Sequence, residues 1–176
     1  MAKLPTCPCC GSKNVSRIES FYTCTNCKKS FGRDPKANDG SRLAEVVNGL
    51  RFKFGDIDTG SSRLRFVQDG EVCLYEVIDT NGGKLAKIAG VLSAEDWKNL
   101  RESLFADYFV SDWEREYIPA NDGREIRGNN AWAFDVIVSD EEEYSYGGVD
   151  AFPVYFDRFR TNVIEPYFME LAEKGL

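Results

Sequence analysis

The chain has 176 residues, of which 43% are hydrophobic and 13% aromatic, and its net charge is −7. That supplies one sizeable core, and no apolar run is long enough for a helix to span a bilayer. Histidine is absent, which removes Ser-His-Asp and Cys-His nucleophilic schemes and the commonest general base.

The first element in chain order is a cysteine motif, Cys7-Pro8-Cys9-Cys10-Gly11 followed by Cys24-Thr25-Asn26-Cys27. Two residues between paired cysteines let a tight turn aim both sulfurs one way. Pro8 fixes a backbone torsion and Gly11 permits a left-handed one. The pairs that fit are Cys7 with Cys10 and Cys24 with Cys27, and four thiolates at one point suit a structural Zn2+. Four cysteines also make an iron site, so ligand type alone does not separate Zn2+ from Fe2+. Cys9 reads as a spare thiol or an alternate ligand. The competing reading, three disulfides among six cysteines, needs an oxidising compartment. Residues 1–6, Met-Ala-Lys-Leu-Pro-Thr, offer no apolar core of signal-peptide length. The expectation is therefore reduced thiols, bound zinc and a cytoplasmic location.

The thirteen residues from Gly11 to Thr23 suit a short hairpin, with Val15 and Ile18 before the turn and Phe21 and Tyr22 after it. Phe31 follows at a distance that lets its ring pack on the hairpin. On this C-P-x-C-G knuckle and second C-x-x-C the segment resembles the zinc ribbon family, over roughly residues 5 to 34. The resemblance implies a small β module and a structural metal. It implies no single function, since ribbons serve nucleic-acid and protein partners alike.

Charge is uneven along the chain. Residues 1–36 carry Lys3, Lys13, Arg17, Lys28, Lys29, Arg33 and Lys36 against Glu19 and Asp34, a net +5, which leaves −12 for the remainder. A basic ribbon on an acidic body contacts nucleic acid only through the ribbon, with Lys13, Arg17, Lys28, Lys29 and Arg33 as phosphate ligands. The same cations also solvate a small module or dock on an acidic protein surface.

Residues 35–41, Pro-Lys-Ala-Asn-Asp-Gly-Ser, are polar and read as a linker between a ribbon at 1–34 and an acidic domain at 42–176. Leu50, Phe52 and Phe54 alternate with Arg51 and Lys53, and Leu64 and Phe66 with Arg63 and Arg65, as in half-buried strands. Asp69-Gly70 predicts a hairpin turn into Val72–Ile78, which is apolar on both faces and reads as a central strand. Asn81-Gly82-Gly83 turns into a fourth strand near Lys84 to Ala89. Ser93 then caps a helix with a buried stripe of Trp97, Leu100, Leu104 and Tyr108.

A loop with Pro119, Asp122-Gly123 and Gly128-Asn129-Asn130 leads to a strand at Trp132–Val138. Its partner holds Tyr144 and Tyr146, and Asp140 to Glu143 form an acidic hairpin tip. Phe152 through Leu171 follow a helical period that Pro166 should kink or split. The order of four strands, a helix, two strands and a helix predicts an α+β fold, an antiparallel sheet covered by two helices. The stretch Tyr146–Pro153 with Phe156 and Phe159 resembles an element of uncharacterised bacterial α+β domains, a strand ending in glycine before a proline-started helix. That resemblance implies no function.

No catalytic constellation emerges. Cys73, in a predicted buried strand, reads as a small core residue rather than a nucleophile. Glu141, Glu142 and Glu143 read as a solvated turn, because neighbouring carboxylates on a strand point to opposite faces. Gly60-Ser61-Ser62, Gly82-Gly83 and Gly147-Gly148 read as turns without the context of a phosphate loop. Trp113, Tyr117 and Trp132 read as core, with a ligand groove as the alternative. The expectation is a non-enzymatic protein-interaction module presenting an acidic, aromatic-containing surface. A nucleic-acid-associated regulator is the alternative, and an acidic mimic of nucleic acid is a third reading on charge alone.

Overall fold

The computed structural model describes residues 4–7, 10–18, 21–28, 30–33, 40–55, 60–80, 84–119, 130–139 and 142–174. The N-terminal part is a three-stranded antiparallel sheet of β1 (Val15–Ile18), β2 (Phe21–Cys24) and β3 (Ser30–Arg33), in that order. Val15 pairs with Cys24 and Arg17 with Tyr22, so the expected hairpin forms, and β3 adds a strand that the sequence reading did not contain. Among its described residues Cys7, Val15, Tyr22 and Cys24 are buried. The expected packing of Phe31 lies outside the described side chains.

The body is α+β, with a seven-stranded, mostly antiparallel sheet and a helical layer. Helix α1 (Gly40–Val46) precedes β4 (Gly49–Phe54), β5 (Ser62–Asp69), β6 (Val72–Asp79) and β7 (Ala86–Leu92). Then come α2 (Ala94–Ala106), β8 (Glu116–Tyr117), β9 (Ala131–Ile137) and β10 (Glu143–Val149). The terminal elements are α3 (Phe156–Phe159), a π-helical turn (Arg160–Ile164) and α4 (Glu165–Glu173). The sheet order is β7-β6-β5-β4-β9-β10-β8, and only β8 runs parallel to its neighbour.

This order corrects the expected four strands, helix, two strands, helix at three places. Of the predicted linker 35–41, residues 35–39 lie outside the described residues, and Gly40 and Ser41 begin α1. Tertiary contacts stabilise that short helix despite its poor formers. Ala44 is buried within it and Val47 just beyond it, and Arg101 Nη1 donates to the carbonyls of Glu45 (3.2 Å) and Val47 (3.1 Å) at its C-terminal end. Gly147 and Gly148 are not a turn but lie inside β10. A Cβ on Gly148 would stand 2.7 Å from the Tyr117 carbonyl oxygen and 2.8 Å from that of Ala151, so the missing side chain is what admits β8.

The third correction is the start of the C-terminal helix, at Phe156 rather than Phe152, while the expected break at Pro166 is seen as a change of pitch through Arg160–Ile164. A proline in the first turn of α4 has no N–H to donate back, and the wider π turn accommodates that gap. The β5–β6 turn is also displaced by one residue, to Gly70-Glu71, because Asp69 pairs with Val72 and the left-handed torsion (φ 61°) falls on Gly70. The predicted turn at 81–83 and loop residues 120–129 lie outside the described residues.

All the packed helices lie on one face of the sheet. That face presents Leu50 and Phe52, Leu64 and Phe66, Cys73 and Val77, Ile88, and Trp132, Phe134 and Val136, all buried. From α2, whose N-terminus is capped by Ser93 Oγ accepting from the Asp96 N–H, Trp97 stacks on Phe66 at 6.1 Å. From α4, Tyr167 meets Phe66 and Tyr75 edge-on at 5.1 and 4.9 Å. Trp113 sits at the centre of the aromatic core, within 6.0 Å of Trp132, Phe134, Tyr146 and Phe159. The indole N–H groups of Trp97, Trp113 and Trp132 donate to Gln68 Oε1 and to the carbonyls of Tyr108 and Ala151.

The opposite face of the sheet is open. β6 is therefore buried on one side only, contrary to its apolar sequence: Cys73 and Val77 point into the core, whereas Leu74 is 41% exposed. The tryptophans are interior, and Phe152 is the single aromatic among the exposed large hydrophobic residues described. Tyr117 and Trp132, two of the aromatics read as core or groove, also line a shallow surface groove with Ile118, Pro119 and Val149.

Candidate metal centre

Cys7 and Cys10 come from the loop before β1, Cys24 from the end of β2 and Cys27 from the turn after it. Their four sulfurs lie within 4.8 Å of one another. Cys7 and Cys27 Sγ are 3.6 Å apart, as are Cys10 and Cys24 Sγ. Zn–S bonds of about 2.3 Å in a tetrahedron place sulfurs about 3.8 Å apart, so the donor set fits the ion. The 3.6 Å separations are far outside disulfide bonding distance. Cys9 lies outside the described residues.

Both pairs are built by the same local backbone. The Gly11 N–H donates to the Cys7 carbonyl (2.9 Å) and the Lys28 N–H to the Cys24 carbonyl (2.9 Å). Gly11 and Lys28 both adopt the left-handed region, with φ of 69° and 61°. The glycine does this at no steric cost, whereas the lysine does so against its Cβ. The Thr25 N–H donates to the Asn14 carbonyl, tying the second knuckle to the strand of the first.

Hydrogen bonds aimed at the sulfurs favour thiolate. The Cys27 N–H points to Cys24 Sγ at 3.5 Å, and it is the main cause that draws the Cys24 thiol from 9.0 down to about 6. The Cys10 thiol is also lowered, first by the Ser12 backbone and then by the Asn26 side chain, whose Nδ2 donates to Cys10 Sγ at 3.7 Å. Ser12 and Asn26 are the supporting residues that the spacing argument missed. Only Asn26 left a signal in the sequence, a side-chain donor between the second pair of cysteines, because Ser12 acts through its backbone.

The other predicted residues fall elsewhere. Lys13 and Lys28 are exposed, before β1 and after the second knuckle, and Arg17 lies in β1. Lys29 and the side chain of Arg33 lie outside the description. Cys73 is fully buried, and burial pushes its thiol up to about 11. Glu141 lies outside the described residues, and Glu143, in β10, pairs with Arg51.

The ribbon is seated on the body. Tyr22 reaches Phe109 at 6.3 Å between ring centroids, and Leu4, Pro5 and Thr6 face Ala106, Asp107 and Arg158 across a shallow groove. Among the described residues no helix is long and apolar enough to cross a membrane. No protein family, curated protein or solved structure matches the chain.

Proposed function

We propose that this is a non-enzymatic zinc protein, in which a structural ribbon is joined to an α+β body that serves as a protein-interaction module. The observation that carries the reading is the closed four-sulfur cluster of Cys7, Cys10, Cys24 and Cys27. Four thiolates saturate zinc and leave no position for an activated water, so the metal's contribution is to fold rather than to react. The rest of the chain supports the same reading. Burial raises the Cys73 thiol to about 11, away from the reactive thiolate, and the three indole N–H groups are taken up by Gln68 and by backbone carbonyls.

Native mass spectrometry of the protein purified from its own host without chelator tests this directly. One zinc per chain, lost in Cys24→Ser, together with a bound protein mass is the expected result. Iron in place of zinc would change the cofactor and keep the ribbon. Full metal content in the variant would overturn the ligand set. A bound nucleic acid released by Lys13→Glu and Lys28→Glu would instead favour the regulator reading, through the +5 charge of residues 1–36.

A further inference from the structure

On the open face of the sheet, β4 and β5 run antiparallel in a register that sets Arg51 opposite Arg65 and Lys53 opposite Arg63. Like charges directly opposite on one face destabilise a strand pair, and here two such pairs are consecutive. Carboxylates are abundant in this body, whose region beyond residue 36 carries −12. Arg51 alone of the four has neutralising contacts, with Asp135 Oδ2 at 3.1 Å and Glu143 Oε2 at 2.5 Å. Glu76 stands opposite Arg65 in the register, yet its carboxylate pairs with Lys87 on β7. Lys53, Arg63 and Arg65 are exposed and have no ion-pair partner among the described residues. The stems of these side chains border a shallow depression floored by Ile78 and Ala133.

We infer that this cationic strip is a docking site for an extended acidic segment of a partner protein. The inference rests on the reading of the body as a protein-interaction module. Charge complementarity is the argument, and the dimensions narrow the occupant. The strip is two strands wide, about 5 Å, and its cations repeat every second residue, about 6.7 Å along the strand. A polypeptide laid along β4 and β5 with carboxylates at alternate positions has the same period, and each guanidinium offers a carboxylate a two-pronged contact.

Nucleic acid fits less well. Glu76 on β6 and Asp135 on β9 flank the strip and confine its positive charge to two strands, a width that one extended chain fills and a broader phosphate surface overruns. By strand alternation this face presents no aromatic ring on which a base can stack.

The test is fluorescence anisotropy of the full-length, zinc-loaded protein with a labelled ten-residue peptide of alternating Glu and Val, at low salt. Salt-sensitive binding is expected. It should weaken by at least about tenfold in the double variant Arg63→Gln, Arg65→Gln, which removes two charged contacts. It should be unchanged in Lys13→Gln, which lies outside the strip. The strip variant should melt at or above the parent temperature, because a like-charge conflict is relieved, so lost binding is not lost folding.

No peptide binding, or equal binding by the strip variant, overturns the site. Tighter binding of a ten-residue oligothymidylate than of the peptide, lost in the strip variant, assigns the strip to phosphate and overturns the peptide reading. A protein partner that stays bound to the strip variant in the native spectrum leaves the module standing and removes this site from it.

Discussion

The ribbon and the body reach a fixed structure by different means. Among its described residues the N-terminal module buries Cys7, Val15, Tyr22 and Cys24, two of them members of the four-sulfur cluster, so the proposed metal is the natural crosslink for its fold. The body has an aromatic interior in which Trp113 touches four other rings within 6.0 Å. Small modules are thus fixed by a few directional bonds, and larger ones by close packing spread over many contacts.

The sharpest way to break this comparison is to remove the metal. Chelation, or Cys24→Ser, should abolish ribbon dispersion in an amide spectrum while the body's signals persist. The expected loss is on the order of 10 kcal/mol, the scale of structural zinc binding. A body that unfolds together with the ribbon would show that the two depend on one metal. Acid should act in the same direction. Hydrogen bonds lower the Cys24 thiol from 9.0 to about 6, and protons compete with the metal for that sulfur, so occupancy should fall as pH is lowered. Metal release followed from pH 8 to pH 5 checks this, and full retention at pH 5 would contradict it.

Next in size is Trp113→Ala, which should destabilise the body by about 3–5 kcal/mol in denaturant melts and leave zinc content unchanged. Gly148→Ala follows. The new methyl would meet the backbone oxygens of Tyr117 and Ala151, and shifting β8 away should cost about 1–3 kcal/mol. An unchanged melting curve would mean that β8 is not held in place. The smallest effect belongs to Lys28→Gly, which relieves a left-handed lysine and should tighten zinc by up to about 1 kcal/mol, or about fivefold, in a competition titration.

The metal site was the most legible part of the sequence, because C-x-x-C spacing is a local property that dictates where sulfurs point. Strands β4 to β7 and helix α2 were legible for the same reason, through alternation and through the cap at Ser93. What escaped depends on partners distant in the chain. α1 forms where Gly40 and Ser41 suggest a linker, because its end is hydrogen-bonded by Arg101 from α2. The double glycine of β10 looks like a turn until Tyr117 is seen against it. The alternation of Arg51, Lys53, Arg63 and Arg65 was visible as two outward-facing rows. That the rows lie side by side is a matter of register, which no single strand specifies.

Phe109 lies in the left-handed region with φ 52°, a conformation that costs a bulky residue about 1–2 kcal/mol, and its ring is bracketed by Tyr22 of the ribbon at 6.3 Å and Tyr155 of the body at 5.3 Å. Residue 109 also opens the 3-10 turn that leads directly to Trp113. The cysteine cluster, more than 80 residues away in sequence, therefore has a physical route to the Trp113 environment, and a change in intrinsic fluorescence on adding zinc is the expected label-free readout of metal binding.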